Sequence, residues 1–112
     1  MRIFVATNAV DLRKGFDALA AYCRDELEFD PFSGVVFAFT NHRRTHLRLL
    51  YYDSQGLWLC TKRLSEGRLP WWPKAKATGD KSIKLDAHQM QLLIWGGNAD
   101  NVSVLEPWRK IS

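Results

Sequence analysis

Two histidines and two arginines crowd into one short stretch of the sequence, Asn41 to His46, between two runs of apolar residues. His42 and His46 have the spacing of half a zinc site, but the paired cysteines of such sites are missing, so two loop histidines are the simpler interpretation. Arg43 and Arg44 carry a permanent charge in a shape that binds phosphate. The stretch therefore predicts no metal site and indicates a place that meets anions.

Carboxylate chemistry is the second possibility, because Asp11, Asp17 and Asp53 could together hold the metal of a nuclease. Each has a simpler interpretation: Asp11 caps a helix, Asp17 is a solvated helix residue and Asp53 begins a turn. The chain also lacks the glycine-rich phosphate loop, the serine motif of hydrolases and the dinucleotide fingerprint. We therefore predict that the protein is not an enzyme and has no catalytic residue, bound metal or cofactor.

Cations and aromatic residues alternate through the middle of the chain. Residues 35–84 carry ten Lys and Arg against three Asp and Glu, a net charge of +7, while the segments on either side are acidic. Cations neutralise phosphates and flat rings stack on unpaired bases, so the pattern favours DNA; a solvated basic surface around an aromatic core explains it as well. The residues predicted to bind DNA are Arg13, Lys14, Arg43, Arg44, Arg48, Lys62, Arg63 and Arg68.

The tryptophans divide between two expected roles. Trp58 lies in an apolar run and is expected in the core. Trp71 and Trp72 form a rigid aromatic knot between two prolines, and at least one of them is expected on the surface. Both are predicted to bind a protein partner.

The elements that must position these side chains follow from hydrophobic periodicity. Ile3 to Val5 is a short opening strand. A helix follows Asp11, which is placed as its N-cap. Its apolar stripe is formed by Phe16, Leu19, Ala20, Cys23 and Leu27. Asp30 to Gly34 then has the proline and glycine of a turn.

Three β-rich runs come next, Val35 to Thr40, Leu47 to Asp53 and Leu57 to Arg63, and their short links make an antiparallel meander the simplest arrangement. Alternation in the second run is imperfect, so both faces of the sheet must be covered, one by the helix and the other by an aromatic layer or a partner. Ser82 to Leu85 is a further strand, and Asp86 caps a short helix that Gly96 and Gly97 end.

The link from Asn41 to His46 thus lies at a hairpin tip, where Arg43 and Arg44 project clear of the sheet. Arg48, Lys62 and Arg63 are expected to extend the same basic face. Phosphate contacts of this kind give affinity with little preference for sequence.

Together these patterns predict an α+β fold: a small antiparallel sheet, made of a three-stranded meander plus one or two short strands, with one longer helix packed on it and a short C-terminal helix. Residues 1–97 form a single domain and residues 98–112 a C-terminal tail of uncertain structure. No apolar run approaches about 20 residues, and no signal-peptide core is present. With two cysteines far apart, this indicates a cytoplasmic protein with reduced thiols.

Three segments of the chain, taken in order, resemble one protein family: VDLRKGFDALA (Val10 to Ala20), DPFSGVVFAFTNHRRTHLRLLYYDSQGLWLCTKRLSEGRLPW (Asp30 to Trp71) and IKLDAHQMQLLIWG (Ile83 to Gly96). The family is the small accessory protein, called TnpB or the product of the second reading frame, of bacterial insertion-sequence 66 elements. It differs from the RNA-guided nucleases that share the name TnpB.

The resemblance implies a bacterial protein that assists transposition beside a separate transposase, which carries the cutting chemistry. It implies DNA and the other proteins of the element as partners, leaves room for a homo-oligomer, and carries over no catalytic residue. The predicted function is a non-catalytic accessory factor that binds DNA through a basic hairpin face. The alternative is a protein-interaction adaptor that holds the transposase or a sister subunit without touching DNA.

Arg13, Lys14 and Gly15 belong to the first matching segment and are expected to open the helix. The helix dipole disfavours cations there, so an anionic partner or a carboxylate such as Asp53 is needed to hold them. A glycine inside a helix costs about 1 kcal/mol against alanine, which favours close approach by a backbone or a ligand. A packing glycine flanked by solvated cations is the alternative.

Overall fold

The computed structural model describes residues 2–13 and 15–95. Along the chain the elements are β1 (Ile3–Ala6), α1 (Phe16–Asp25), β2 (Val36–Thr40), β3 (His46–Tyr52), β4 (Leu57–Arg63), β5 (Ser82–Leu85) and α2 (Ala87–Ile94). The glycines expected to end α2 and the C-terminal tail lie outside the described residues. No helix in the described part of the chain is long and apolar enough to cross a membrane.

The five strands form one sheet in the order β4-β3-β2-β1-β5. β2, β3 and β4 pair antiparallel as the predicted meander, and β5 also pairs antiparallel with β1. β1 and β2, however, run parallel, because the chain between them passes through α1 and returns to the end of the sheet from which it started. The α+β class is confirmed, and the wholly antiparallel sheet is corrected to a mixed one.

One face of the sheet, here called the α1 face, is covered by the first helix. Its apolar stripe buries Leu19, Cys23 and Leu27 against Phe37 and Phe39 of β2. Aromatic rings extend the layer, with Phe29 5.7 Å from Phe37 between ring centroids. The predicted stripe therefore packs the helix on the sheet, except at Phe16, which was expected in the stripe but is 44% exposed.

The opposite face, here called the α2 face, is covered by α2 and by the irregular segment before β5. Met90 and Leu93 of α2 pack with Leu69 and Trp72 of that segment. Beneath them lie the sheet residues Ile3, Val5, Val36, Ala38, Leu47 and Leu85. β2 is buried along its whole length, which explains why its sequence is apolar without alternation.

The two helices begin in different ways. α2 starts as predicted, since Asp86 accepts a hydrogen bond from the Gln89 backbone N–H and the Gln89 side chain accepts one from the Asp86 backbone, a capping box. α1 begins at Phe16 with Gly15 as its N-cap and without a side-chain cap. The prediction of Asp11 as the cap is wrong, because Asp11 instead accepts hydrogen bonds from Arg13.

Gly15 also differs from expectation. It precedes the helix instead of lying inside it, and a Cβ built on it would meet no atom within 4 Å. Its φ of −93° is one that any residue adopts. The predicted close approach of a backbone at this position is therefore wrong.

Candidate nucleic-acid interface

The tip of the β2–β3 hairpin is organised by Asn41. Its carboxamide oxygen accepts hydrogen bonds from the backbone N–H groups of Thr45, at 2.9 Å, and His46, at 3.2 Å. Its backbone carbonyl accepts another from the N–H of Arg44, at 3.0 Å. Asparagine suits this position because its short side chain can replace backbone groups in a turn. The tip is thus an ordered turn. The sequence pattern does not predict this structural role of Asn41.

Arg44 occupies the left-handed backbone region, with a φ of 57°. The backbone holds it there, since its carbonyl accepts a hydrogen bond of 2.8 Å from the Leu69 N–H. A residue in this conformation changes the direction of the chain within one step. As a result, Arg43 and Arg44 line two different concavities, although they are neighbours in sequence.

The larger concavity, here called the basic groove, lies between the segment before α1 and the hairpin tip. It is open to solvent and has a volume of about 670 Å³. Its lining residues are Val10, Asp11, Leu12, Arg13, Asn41, His42, Arg43, His46 and Arg48. Three arginines against one carboxylate make it positive, and they come from two segments about thirty residues apart.

Two backbone contacts fix one wall of the basic groove. The Val10 N–H donates to the Thr40 carbonyl, at 2.9 Å, and the guanidinium of Arg48 donates to the Leu12 carbonyl. Arg48 also donates from Nε to the Thr61 hydroxyl, at 2.9 Å. Val10 and Leu12 are buried beneath this wall. Arg48 therefore joins the two sides of the groove and places its charge at the junction.

Arg13 stands at the rim of the groove and is paired with Asp11. Two hydrogen bonds, at 3.0 and 2.9 Å, join its guanidinium to the two carboxylate oxygens. The bonded carboxylate raises the pKa of Arg13, mainly through the hydrogen bond and then through charge attraction. The Arg13 side chain is 91% exposed, so the pair contributes little to stability and its donors are accessible to another anion.

A second concavity, here called the Arg44–Arg68 recess, lies on the other side of the tip. Its lining residues are His42, Arg44, Arg68, Leu69 and Pro70. Leu69 is buried and packs in the α2-face cluster, so the recess stands on a fixed backbone. Of the eight predicted DNA-binding residues, the structure thus brings Arg13, Arg43 and Arg48 together at the groove and Arg44 and Arg68 at the recess.

Two of the remaining predicted cations, Lys62 and Arg63, do not join these sites. Lys62 pairs with Leu47 of the α2-face cluster, and its ammonium group donates to the Ile94 carbonyl at the end of α2. Arg63 points to the α1 face, opposite His46, but does not line the groove. Since successive strand residues alternate between faces, a single basic face shared by Arg48, Lys62 and Arg63 is wrong. Lys14 lies outside the described residues.

The tryptophan roles also change. Trp72 is only 3% exposed and donates from its indole N–H to the Ala6 carbonyl, at 2.9 Å, so it is a core residue and its predicted partner-binding surface is corrected. Trp71 is half-buried beside it. Trp58 was expected in the core but is 58% exposed, because β4 is the outermost strand. Its indole N–H donates to the Asp53 carboxylate, at 2.6 Å.

The three carboxylates considered for metal chemistry have separate surroundings. Asp53 accepts hydrogen bonds from the Trp58 indole and from the backbone of Gln55 and Gly56, which lower its pKa in that order of importance. It therefore begins a turn, as expected. Within residues 2–13 and 15–95, no group of three or more His, Cys, Asp or Glu side chains is placed to hold a metal ion.

Comparison with known proteins gives one family. Residues 1–104 match the family model described as IS66 Orf2 like protein. Two proteins of Sinorhizobium fredii strain NGR234 are similar, the uncharacterized proteins y4jC, 34% identical, and y4hO, 33% identical. Each alignment covers 86% of this chain, with 79% of y4jC and 80% of y4hO. No solved structure matches the chain.

Proposed function

The chain belongs to the IS66 Orf2-like family of transposition-associated accessory proteins, and from that premise we propose that it is a non-catalytic factor that binds DNA through the basic groove. In this proposal a separate transposase carries the cutting chemistry, and this protein assists it by holding DNA.

The observation that carries the proposal is the convergence of Arg13, Arg43 and Arg48 on one open groove. Guanidinium groups bind phosphate oxygens with two parallel hydrogen bonds, and an open groove admits a polymer that a closed pocket would exclude. The Asp11 carboxylate that now holds Arg13 occupies the position of such an anion. A phosphate that replaces it would gain two charge-assisted hydrogen bonds.

The proposed contacts are with phosphates and not with bases. Among residues 2–13 and 15–95, no Phe, Tyr or Trp lines the basic groove or the Arg44–Arg68 recess, so none of these large rings is offered there to an unpaired base. Binding through cations alone carries little sequence information and depends strongly on salt. We therefore expect the isolated protein to bind duplexes of different sequence with similar affinity.

A salt-titrated binding measurement tests the proposal. Arg43→Ala and Arg13→Ala should each weaken binding to all duplexes and lower the slope of log affinity against log salt by about 1. Arg24→Ala is the matched control, because this substitution removes the same charge from an exposed residue of α1 that lines neither concavity. Unchanged binding in folded Arg13→Ala and Arg43→Ala proteins would contradict the proposal.

The double variant Arg43→Ala with Arg44→Ala separates the two concavities. If DNA contacts both the groove and the recess, the slope falls by about 2; if it contacts the groove alone, the slope falls by about 1. As a non-catalytic factor, the protein should leave DNA uncut in magnesium or manganese. Metal-dependent nicking that disappears with Asp11→Ala or Asp53→Ala would contradict that part of the proposal.

A second candidate function, the protein-interaction adaptor, is supported by the exposed tryptophans. Trp58 and Trp95 are 58% and 46% exposed, which is unusual for such large apolar side chains. Aromatic residues of this kind are enriched in protein interfaces. If the salt titration shows no DNA binding while Trp58→Ala abolishes capture of the purified transposase of the same element, the adaptor becomes the leading function.

A further inference from the structure

The outer edge of β4 is the longest open edge of the sheet. β4 has seven residues and lies at the end of the strand order, and within residues 2–13 and 15–95 no strand pairs with its outer side. The opposite edge strand, β5, has four residues, one of them the exposed Lys84. Short, lysine-bearing edges resist pairing, whereas long open edges offer a row of unpaired N–H and C=O groups to another strand.

The hydrogen bonds of the β3–β4 hairpin fix which groups of β4 face outward. The Asp53 N–H donates to the Gly56 carbonyl and the Leu64 N–H to the Thr45 carbonyl, so Gly56 and Leu64 are in hydrogen-bonded pairs. Antiparallel pairs alternate, and the even-numbered residues between them also direct their backbone groups to β3. The outward-facing N–H and C=O groups are therefore those of Leu57, Leu59, Thr61 and Arg63.

This alternation restricts how β4 can pair with itself. In an antiparallel pair of β4 strands, a residue whose backbone groups face outward must lie directly opposite another such residue. Because these are the odd-numbered residues, the two-fold axis that relates the strands must lie level with one residue and cannot lie midway between two neighbouring residues. An axis beside Cys60 pairs the whole of β4, Leu57 to Arg63, with no overhang. An axis beside Leu59 or Thr61 leaves two residues of each copy unpaired.

We propose that β4 pairs antiparallel with β4 of a second copy of this chain, centred on Cys60, so that one sheet continues across a dimer. In this register Cys60 lies opposite itself, Leu59 opposite Thr61, and Trp58 opposite Lys62. Each outward-facing backbone group of β4 then finds a partner. Pairing by strand addition is an established mode of recognition in which backbone bonds give affinity and side chains give register.

The side chains of the α2 face suit this register. Trp58 of one copy and Lys62 of the other form a pair without direct backbone hydrogen bonds. In such pairs the opposite side chains approach most closely. The second copy's Lys62 thus lies opposite an exposed indole ring whose N–H is bonded to the Asp53 carboxylate, and its ammonium group has two further N–H donors besides the one that binds its own Ile94 carbonyl. Cation–ring attraction and the nearby negative charge both favour this contact. The cationic ends of the two strands lie far apart, because the strands run in opposite directions.

Pairing would also set the distance between two basic grooves, a consequence that rests on the proposed function. The two-fold axis is perpendicular to the sheet, so both grooves open on the same side. With a rise of about 3.3 Å per residue and about 4.8 Å between strands, the two hairpin tips stand roughly 30–40 Å apart. One turn of B-DNA is about 34–36 Å, so both grooves would meet the same side of one duplex.

Oxidative cross-linking of the full chain in the absence of DNA tests the register. In the proposed register, Cys60 lies opposite Cys60 of the second copy in a pair without direct backbone hydrogen bonds. The two Cα atoms of such a pair are about 4.5 Å apart, which is within disulfide range, so mild oxidation should give a covalent dimer. Cys23→Ser should keep this dimer, since Cys23 is buried, and Cys60→Ser should abolish it. In the Cys60→Ser background, single cysteines at Leu59 or Thr61 report the two neighbouring registers and should cross-link far less.

A proline variant tests the pairing itself by sedimentation equilibrium. Thr61→Pro removes an outward-facing N–H and spares the bonds to β3, so the monomer should keep its fold while the dimer dissociation constant rises by about tenfold or more. Thr61→Val is the matched control, because it also loses the hydroxyl that Arg48 contacts but keeps the N–H. Circular dichroism checks the fold of both variants.

Three results would overturn the dimer proposal: a wild-type chain that sediments as a monomer at every attainable concentration, equal cross-linking from position 59 or 61, or an unchanged dimer in folded Thr61→Pro protein. None of them involves DNA. The dimer and the proposed DNA binding can therefore fail independently.

Discussion

The two faces of the sheet are closed by different means. On the α1 face a regular helix presents an apolar stripe to β2, and rings of Phe4, Phe29 and Phe37 extend the layer. On the α2 face much of the cover is irregular chain, anchored by Trp72, with a short helix beside it. A periodic apolar stripe predicts from the sequence alone that a helix packs on the sheet. The irregular segment, in contrast, is held by one large side chain whose position depends on the whole fold.

The same division separates the candidate binding surfaces. The basic groove lies along the rim of the α1 face, where the segment before α1 meets the hairpin. The exposed Trp58 and Cys60 lie on the α2 face of β4, beyond the cover that α2 provides. One side is therefore suited to a polyanion and the other to a protein strand, and the two can be occupied together.

The largest contrast between the faces is expected in thiol reactivity. Burial raises the pKa of Cys23, on the buried side of α1, to about 12, whereas Cys60 is exposed on the α2 face. Compared with the ordinary value of 9.0, this lowers the Cys23 thiolate fraction near pH 8 by about a thousandfold. A thiol reagent should thus label one cysteine in the native chain and two in denaturant. Rapid native labelling of Cys23, located by peptide mapping, would mean that α1 does not stay packed.

The next largest effect is expected from the tryptophans of the α2 face. Trp72→Ala removes the anchor of the irregular cover and a buried hydrogen bond, so the free energy of unfolding should fall by about 3–5 kcal/mol. Trp58→Ala, the matched control, removes an exposed ring and should cost less than about 1 kcal/mol. Chemical denaturation at low protein concentration, where association does not contribute, gives both values. Equal losses would show that the two rings are not in different environments.

The smallest expected changes in the free energy of unfolding come from the N-caps of the two helices. Asp86→Ala removes the capping box of α2 and should lower the free energy of unfolding by about 1 kcal/mol. Gly15→Ser adds a cap that α1 lacks and should raise it by a few tenths, roughly 0.2–0.5 kcal/mol. Thermal unfolding of both variants beside the wild type measures the pair. A destabilised Gly15→Ser protein would mean that the N-cap of α1 cannot hold a side chain.

The local sequence pattern is sufficient to predict several elements of the fold. The bounds of β4 and β5 were predicted from the sequence as the structure has them, as was the Asp86 cap. These features depend on alternation and on residues within three positions of each other. The parallel pairing of β1 with β2 could not be read in the same way, because it depends on where α1 returns the chain.

The site was predictable only in part, for a related reason. A hairpin tip carrying Arg43 follows from the turn itself, but its meeting with Arg13 depends on the contact from Arg48 to Leu12, which are 36 residues apart. Likewise, Trp58 and Trp72 have similarly apolar neighbours in sequence. Their burial differs because Trp72 packs over inner strands and donates to the Ala6 carbonyl of β1, whereas Trp58 lies on β4, an outer strand.

The position of β1 has a consequence for how the chain is made. β1 pairs on one side with β2 and on the other with β5, whose residues are synthesised almost eighty positions later. At about 5–20 residues per second, a ribosome takes roughly 4–16 s to cover that interval. From the synthesis of β2 until that of β5, the nascent sheet exposes the edge of β1, and for most of that time it also lacks the Trp72 that will bond to Ala6. The edge of β1 that β5 covers in the finished molecule is thus open to a chaperone during translation.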